Sequence, residues 1–106
     1  MLNGNGKESA TKVIFAYTQA QAIEDGVLIV VGYCGKEKVV LTRNLFYDGY
    51  EDVQRRRELV MKGLELLKLP DAEDSEYMKL RVIEKDKLWV IWSAGEGFVF
   101  MKPEDY

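Results

Sequence analysis

Hydrophobic and polar positions change their spacing several times along the chain. Residues 1–11 (MLNGNGKESAT) show no apolar period and read as a mobile tail. Residues 12–17 (KVIFAY) are β-branched and aromatic, the composition of a first strand. A short helix over 18–25 follows: Thr18 is placed to cap it, Gln21 to reach back to the cap's own N–H, and Gly26 to end it in a left-handed conformation. Residues 27–31 (VLIVV) form an unbroken apolar run, which predicts a strand covered on both faces at the centre of a sheet. After the turn-forming stretch 32–38, residues 39–41 predict a second strand, joined to the first as an antiparallel hairpin.

The period then becomes helical. Thr42 predicts the cap of a second short helix through Tyr47, ending near Gly49. Over 51–69, Val53, Val60, Leu64 and Leu67 lie on one stripe that Leu59, Met61 and Leu66 broaden, and Pro70 follows its end. Gly63 inside this principal helix costs about 1 kcal/mol against alanine and marks a close packing contact. The acidic stretch 71–76 reads as a solvated connector. Beyond it three strands are expected, at 78–84, 88–93 and 98–102, as an antiparallel meander ended by Pro103. Alternation puts Leu80, Val82, Trp89 and Ile91 on one set of faces and Val90 and Trp92 on the other. The expected fold is α+β: a single small domain over 12–106, mainly antiparallel sheet, with the 51–69 helix packed on it and the 18–25 helix at an edge.

Composition narrows the chemistry. The 106 residues suit one core without a metal or disulfide staple. A net charge of −3 makes nucleic acid an unfavoured primary partner. The chain has no histidine, which removes Ser-His and Cys-His nucleophile pairs and histidine metal ligands, and no cofactor is expected. The single cysteine, Cys34, cannot form an internal disulfide. No apolar run nears the roughly 18 residues of a membrane span, so a cytoplasmic protein without membrane contact is expected.

The segment from Tyr17 to Leu28 (YTQAQAIEDGVL) resembles a family of small uncharacterised proteins of bacterial, phage and plasmid genomes, whose hallmark is YTRAQAIEDGVLVD. Val40-Leu41-Thr42-Arg43 is similar to that family's V-A-L-T-R stretch, and the closing MKPEDY to its M-L-P-E-D-Y tail. Gln19 stands where the family shows arginine and Val30 where it shows aspartate. The resemblance implies a mobile-element context and brings no established activity. Short acidic proteins of such elements often bind and block host machinery, an implication by association alone.

Candidate sites each carry a plain structural alternative. Glu24 and Asp25 lie at the negative end of the first helix, where an acid is unfavourable. With Gln19, Gln21 and Arg43 they form a recognition patch, or they pair with Lys36, Lys38 or Arg43 and tie the helix to the hairpin. Trp89, Trp92, Phe98 and Phe100 offer an aromatic partner surface, or fill the core. Arg55, Arg56 and Arg57 read as a solvated helix face sooner than as a phosphate stripe. The leading expectation is a non-enzymatic binding protein of a mobile element, inhibiting a host defence or nucleic-acid enzyme by protein contact. The alternatives are a nucleotide-like small-ligand module beside Gln21, Glu24 and Arg43, and a carboxylate-dependent hydrolase using Glu24 or Asp25.

Overall fold

The computed structural model of the chain describes residues 18–85 and 87–106. The tail expected over 1–11 and the strand expected over 12–17 lie outside the described residues. Helix α1 (Gln19–Glu24) begins in the expected capping box: Gln21 N–H donates to Thr18 Oγ1 at 3.1 Å, and Thr18 N–H donates to Gln21 Oε1 at 3.5 Å. It ends at Gly26, whose φ of +80° lets Val27 N–H return to Ala22 O at 2.9 Å and Gly26 N–H to Ile23 O at 3.1 Å.

Strands β1 (Leu28–Cys34) and β2 (Glu37–Thr42) form the antiparallel hairpin, with a register shift between Val30 and Gly32. Helix α2 (Arg43–Phe46) is capped by Thr42, which accepts from Leu45 N–H at 3.3 Å. Helix α3 (Val53–Lys68) is the principal helix and is capped by Asp52. Strands β3 (Met78–Ile83), β4 (Leu88–Ser93) and β5 (Gly97–Met101) make the meander, and a 3₁₀ turn, Pro103–Asp105, follows. The five strands share one sheet in the order β1-β2-β5-β4-β3, antiparallel except where β2 runs parallel to β5. This is an α+β fold with one main helix.

The placement of the VLIVV run is a correction. It lies in β1, at an edge of the sheet, and the centre is β5. The run is met by α1 and α2; its residues 28–31 are half-buried, and Val27, just before the strand, is exposed. The truly dry positions are on β2, β4 and β5: Val40, Leu41, Val90 and Phe100 are each 0% exposed.

Directly opposed residues share a face, so the registers divide the sheet. Val39, Leu41, Phe98, Phe100, Val90 and Trp92 lie on one face, joined by Arg81, Ile83 and Leu88. Val40, Val99, Ile91, Leu80, Val82, Trp89 and Met101 lie on the other, which keeps the expected partition of the meander. The main core forms on the first face, where Leu59 and Leu67 of α3, Leu45 of α2 and Tyr50 join the strand residues.

Helix α3 rests on the sheet at Gly63. A methyl group there would lie 2.6 Å from Phe100 Cζ and 3.4 Å from Val90 Cγ1, which accounts for glycine in the helix interior. Two residues of the expected stripe are not core: Val53 is 58% and Met61 56% exposed. Val53 lies in the first turn, and Met61 lies about 200° round the helix from Leu59.

The acidic connector is exposed as expected except at Asp74. Arg81, a buried strand residue, holds Asp74 with two 2.7 Å bonds, and donates to Leu66 O (3.1 Å), Leu69 O (2.6 Å) and Leu80 O (2.9 Å). All five guanidinium N–H groups are therefore engaged, two of them on carbonyls at the end of α3: Leu66 O, which also accepts from Leu69 N–H, and Leu69 O at the cap. Arg81 holds the Asp74 carboxyl below the usual carboxylate range, and Asp74 raises Arg81. Beside it Ser75 N–H donates to Met78 O and Met78 N–H to Ser75 Oγ, both at 3.0 Å, so the connector covers part of β3's outer edge.

Candidate functional site

Two places in the molecule gather the residues singled out in the sequence, one at each end of the sheet. At the first, the turn after α1, the end of β2 and the C-terminal PEDY tail meet. Arg43 N–H donates to Val27 O at 2.8 Å, joining the start of α2 to the turn after α1. Asp105 of the PEDY tail accepts from Thr42 Oγ1 at 2.7 Å, from Asn44 Nδ2 at 3.0 Å and from Lys102 N–H at 3.3 Å. Lys102 pairs with Asp48 at 2.9 Å, which lowers the Asp48 carboxyl and raises the Lys102 ammonium. These contacts are all between residues of this chain, and they fasten the end of β5 to the end of β2.

The expected patch is not converged: its residues reach from this corner to the turn at the other end of β5. Gln21 is engaged in the capping box, and Gln19 Nε2 donates to Glu96 O at 2.9 Å in the β4–β5 turn. The Arg43 guanidinium lies 5.8 Å from the Tyr47 ring centroid and passes close to Gly26. Glu24 is exposed and forms no ion pair with a described residue, so the expected tie to Lys36, Lys38 or Arg43 is not made by Glu24. Asp25 is exposed, and its backbone N–H closes the helix on Gln21 O at 2.8 Å. Arg55 and Arg56 are not simply solvated: they lie 4.6 Å from the Tyr50 ring and 5.4 Å from the Phe46 ring, and Arg56 Nη1 donates to Tyr50 O at 2.9 Å.

The aromatic residues of the meander divide between the two faces. Trp89 is on the face away from α3, edge-on to Tyr106 at 5.5 Å. Phe100 and Phe98 are both core residues, which corrects the expectation of Phe98 as part of an exposed aromatic surface; Phe98, 8% exposed, shows only an edge. Trp92 is half-buried at the far end of the sheet from the corner just described. Its indole N–H is shared between both Glu37 carboxylate oxygens, each at 3.1 Å, so the ring is held across β5 toward β2.

Above Trp92 and Phe98 lies a groove of about 410 Å³. Helix α3 supplies one bank with Met61, Leu64, Leu67, Glu65 and Lys68; Cys34, at the end of β1, and Lys79 of β3 complete the rim. The lining is apolar at the floor and charged at the mouth, the distribution common to binding clefts of this size. Among the described residues no cluster of three or more His, Cys, Asp or Glu side chains is arranged to hold a metal ion. No helix of the described residues is long and apolar enough to cross a membrane.

Sequence reasoning found Trp92 and Phe98 but not the walls around them. Leu64 and Leu67 belong to the core stripe as expected and also face the groove, whereas Met61 departs from it. The available signal was Met61's angular position, which sets a large apolar side chain off the face that Leu59 and Gly63 define. No protein-family model matches the chain, and neither a curated protein nor a solved structure was found to be similar to it.

Proposed function

We propose that the protein is a non-catalytic binding protein of a phage- or plasmid-type mobile element, which inhibits a host defence or nucleic-acid enzyme by protein contact through the α3 groove. The observation that carries this reading is the open apolar cleft with a fixed Trp92 on its floor and Met61, 56% exposed, on its wall. Tryptophan held rigidly in a concave apolar site and exposed methionine are side chains that interfaces favour. The mobile-element context rests on the likeness of the 17–28, 40–43 and 101–106 segments to the family described above.

The nucleotide-like reading beside Gln21, Glu24 and Arg43 has less behind it, because Gln21 is taken by the cap and Arg43 by Tyr47. The hydrolase reading places Glu24 and Asp25 in a cleft, and both are exposed on the surface. The test is capture from a bacterial lysate at low and physiological salt, with wild type and Met61→Lys side by side. A stoichiometric partner retained by wild type and lost by Met61→Lys is expected. Equal retention by both, or none by either, removes the groove from this role.

A further inference from the structure

The mouth of the groove has a charge pattern that bears on what enters it. Lys79 is half-buried, and its ammonium lies 5.6 Å from the centroid of the Trp92 ring. No described carboxylate forms an ion pair with it. Asp74, whose field reaches Lys79, is taken up by Arg81, and Glu37 is turned onto the Trp92 indole N–H. On the opposite bank Glu65 and Lys68 of α3 carry opposite charges, and neither forms an ion pair with a described residue. Lys79 therefore forms no ion pair of its own among the described residues, the Asp74 carboxylate whose field reaches it being bound by Arg81, and of the two lysines on the rim it is the one that stands over the Trp92 ring.

We infer that the segment docking in this groove places a large apolar side chain on Trp92 and, within two residues of it, a carboxylate against Lys79. The inference rests on the groove being the binding surface proposed above. A carboxylate there meets a cation already partly desolvated by Trp92, so the contact is stronger than at an open surface and selects against basic segments.

The experiment is selection of a random-peptide library on the immobilised full chain, repeated on Lys79→Glu and Met61→Lys, each checked for an intact thermal transition. Peptides enriched on wild type are expected to combine Leu, Phe or Trp with a neighbouring Asp or Glu, and to bind Lys79→Glu at least about ten-fold more weakly, a difference of about 1.4 kcal/mol. Selection on Lys79→Glu is expected to enrich Lys or Arg in the same place. Enriched peptides that need Met61 but show no acidic preference would overturn this inference and leave the groove as a binding site. Enrichment indifferent to Met61→Lys, no enrichment at all, or a dimer in sedimentation velocity that Met61→Lys dissolves would overturn both readings.

Discussion

The two ends of the sheet solve opposite problems. Where β2 and β5 finish, Asp105 gathers Thr42, Asn44 and the Lys102 backbone, and Arg43 is drawn to Val27, so the polar groups find partners inside the chain. Where β4 finishes and β5 begins, Trp92 and Phe98 are left under an open groove between α3 and the hairpin tip. The segments that look most distinctive in the sequence serve to close the first end, whereas the second end, built of residues that resemble ordinary core, has the surface left to offer. A distinctive motif thus need not coincide with the place where a partner binds.

The largest effect that can separate the two ends is expected at the closed one. Asp105→Ala removes an acceptor from three donors, one of them on the buried Thr42, and should lower stability by about 2–3 kcal/mol, read as the shift in a urea midpoint. Partner capture at a temperature where the variant is folded should remain. Gly63→Ala, which drives a methyl into Phe100 at the support of the groove, should cost about 2 kcal/mol and weaken capture as well, because it lifts the bank that carries Leu64 and Met61.

A smaller effect comes from acid. Asp74 and Asp48 have carboxyls held below their ordinary value, so the folded chain binds fewer protons than the unfolded one. Their stabilisation is complete above a pH of about 4 and is lost as pH falls through that value toward the lower folded-state pKa. The thermal midpoint should therefore decline between about pH 5 and pH 3, and Arg81→Met should flatten that decline by removing the partner of Asp74. A steepening in Arg81→Met would contradict the clasp. Smallest of all is Met61→Lys, which should change stability by no more than about 0.5 kcal/mol, since the side chain is mostly in water, while abolishing capture.

What was legible in the sequence was local. Thr18, Gln21 and Gly26 specify α1 through contacts three or four residues apart, Pro70 follows the end of α3, and a glycine at position 63 marks the close contact that the helix makes with Phe100. Long-range pairing was not legible. The VLIVV run reads as a central strand because apolarity reports burial without saying which strand lies beside it, and the parallel match of Val40 with Val99 brings together segments some sixty residues apart. Arg81 was hidden for a related reason. A charged residue in a strand suggests a solvent face, and nothing local shows that Asp74 and the end of α3 will enclose it. The groove depends on the space left between α3 and the hairpin, a distance that no residue pattern encodes.

The two edges of the sheet repeat the lesson on a smaller scale. β1 is irregular between Val30 and Gly32 and is flanked by α1, while β3 is straight and is covered by the Asp74-Ser75 connector. Both devices restrain edge-to-edge pairing.

The most direct measurement compares capture of the same lysate partner by Met61→Lys and by the double variant Glu24→Gln/Asp25→Asn, at equal folded concentration and physiological salt. Loss of capture in Met61→Lys with full capture in the double variant is the predicted result. Full capture in Met61→Lys with loss in the double variant would put the binding surface at the closed end and contradict the division drawn between the two.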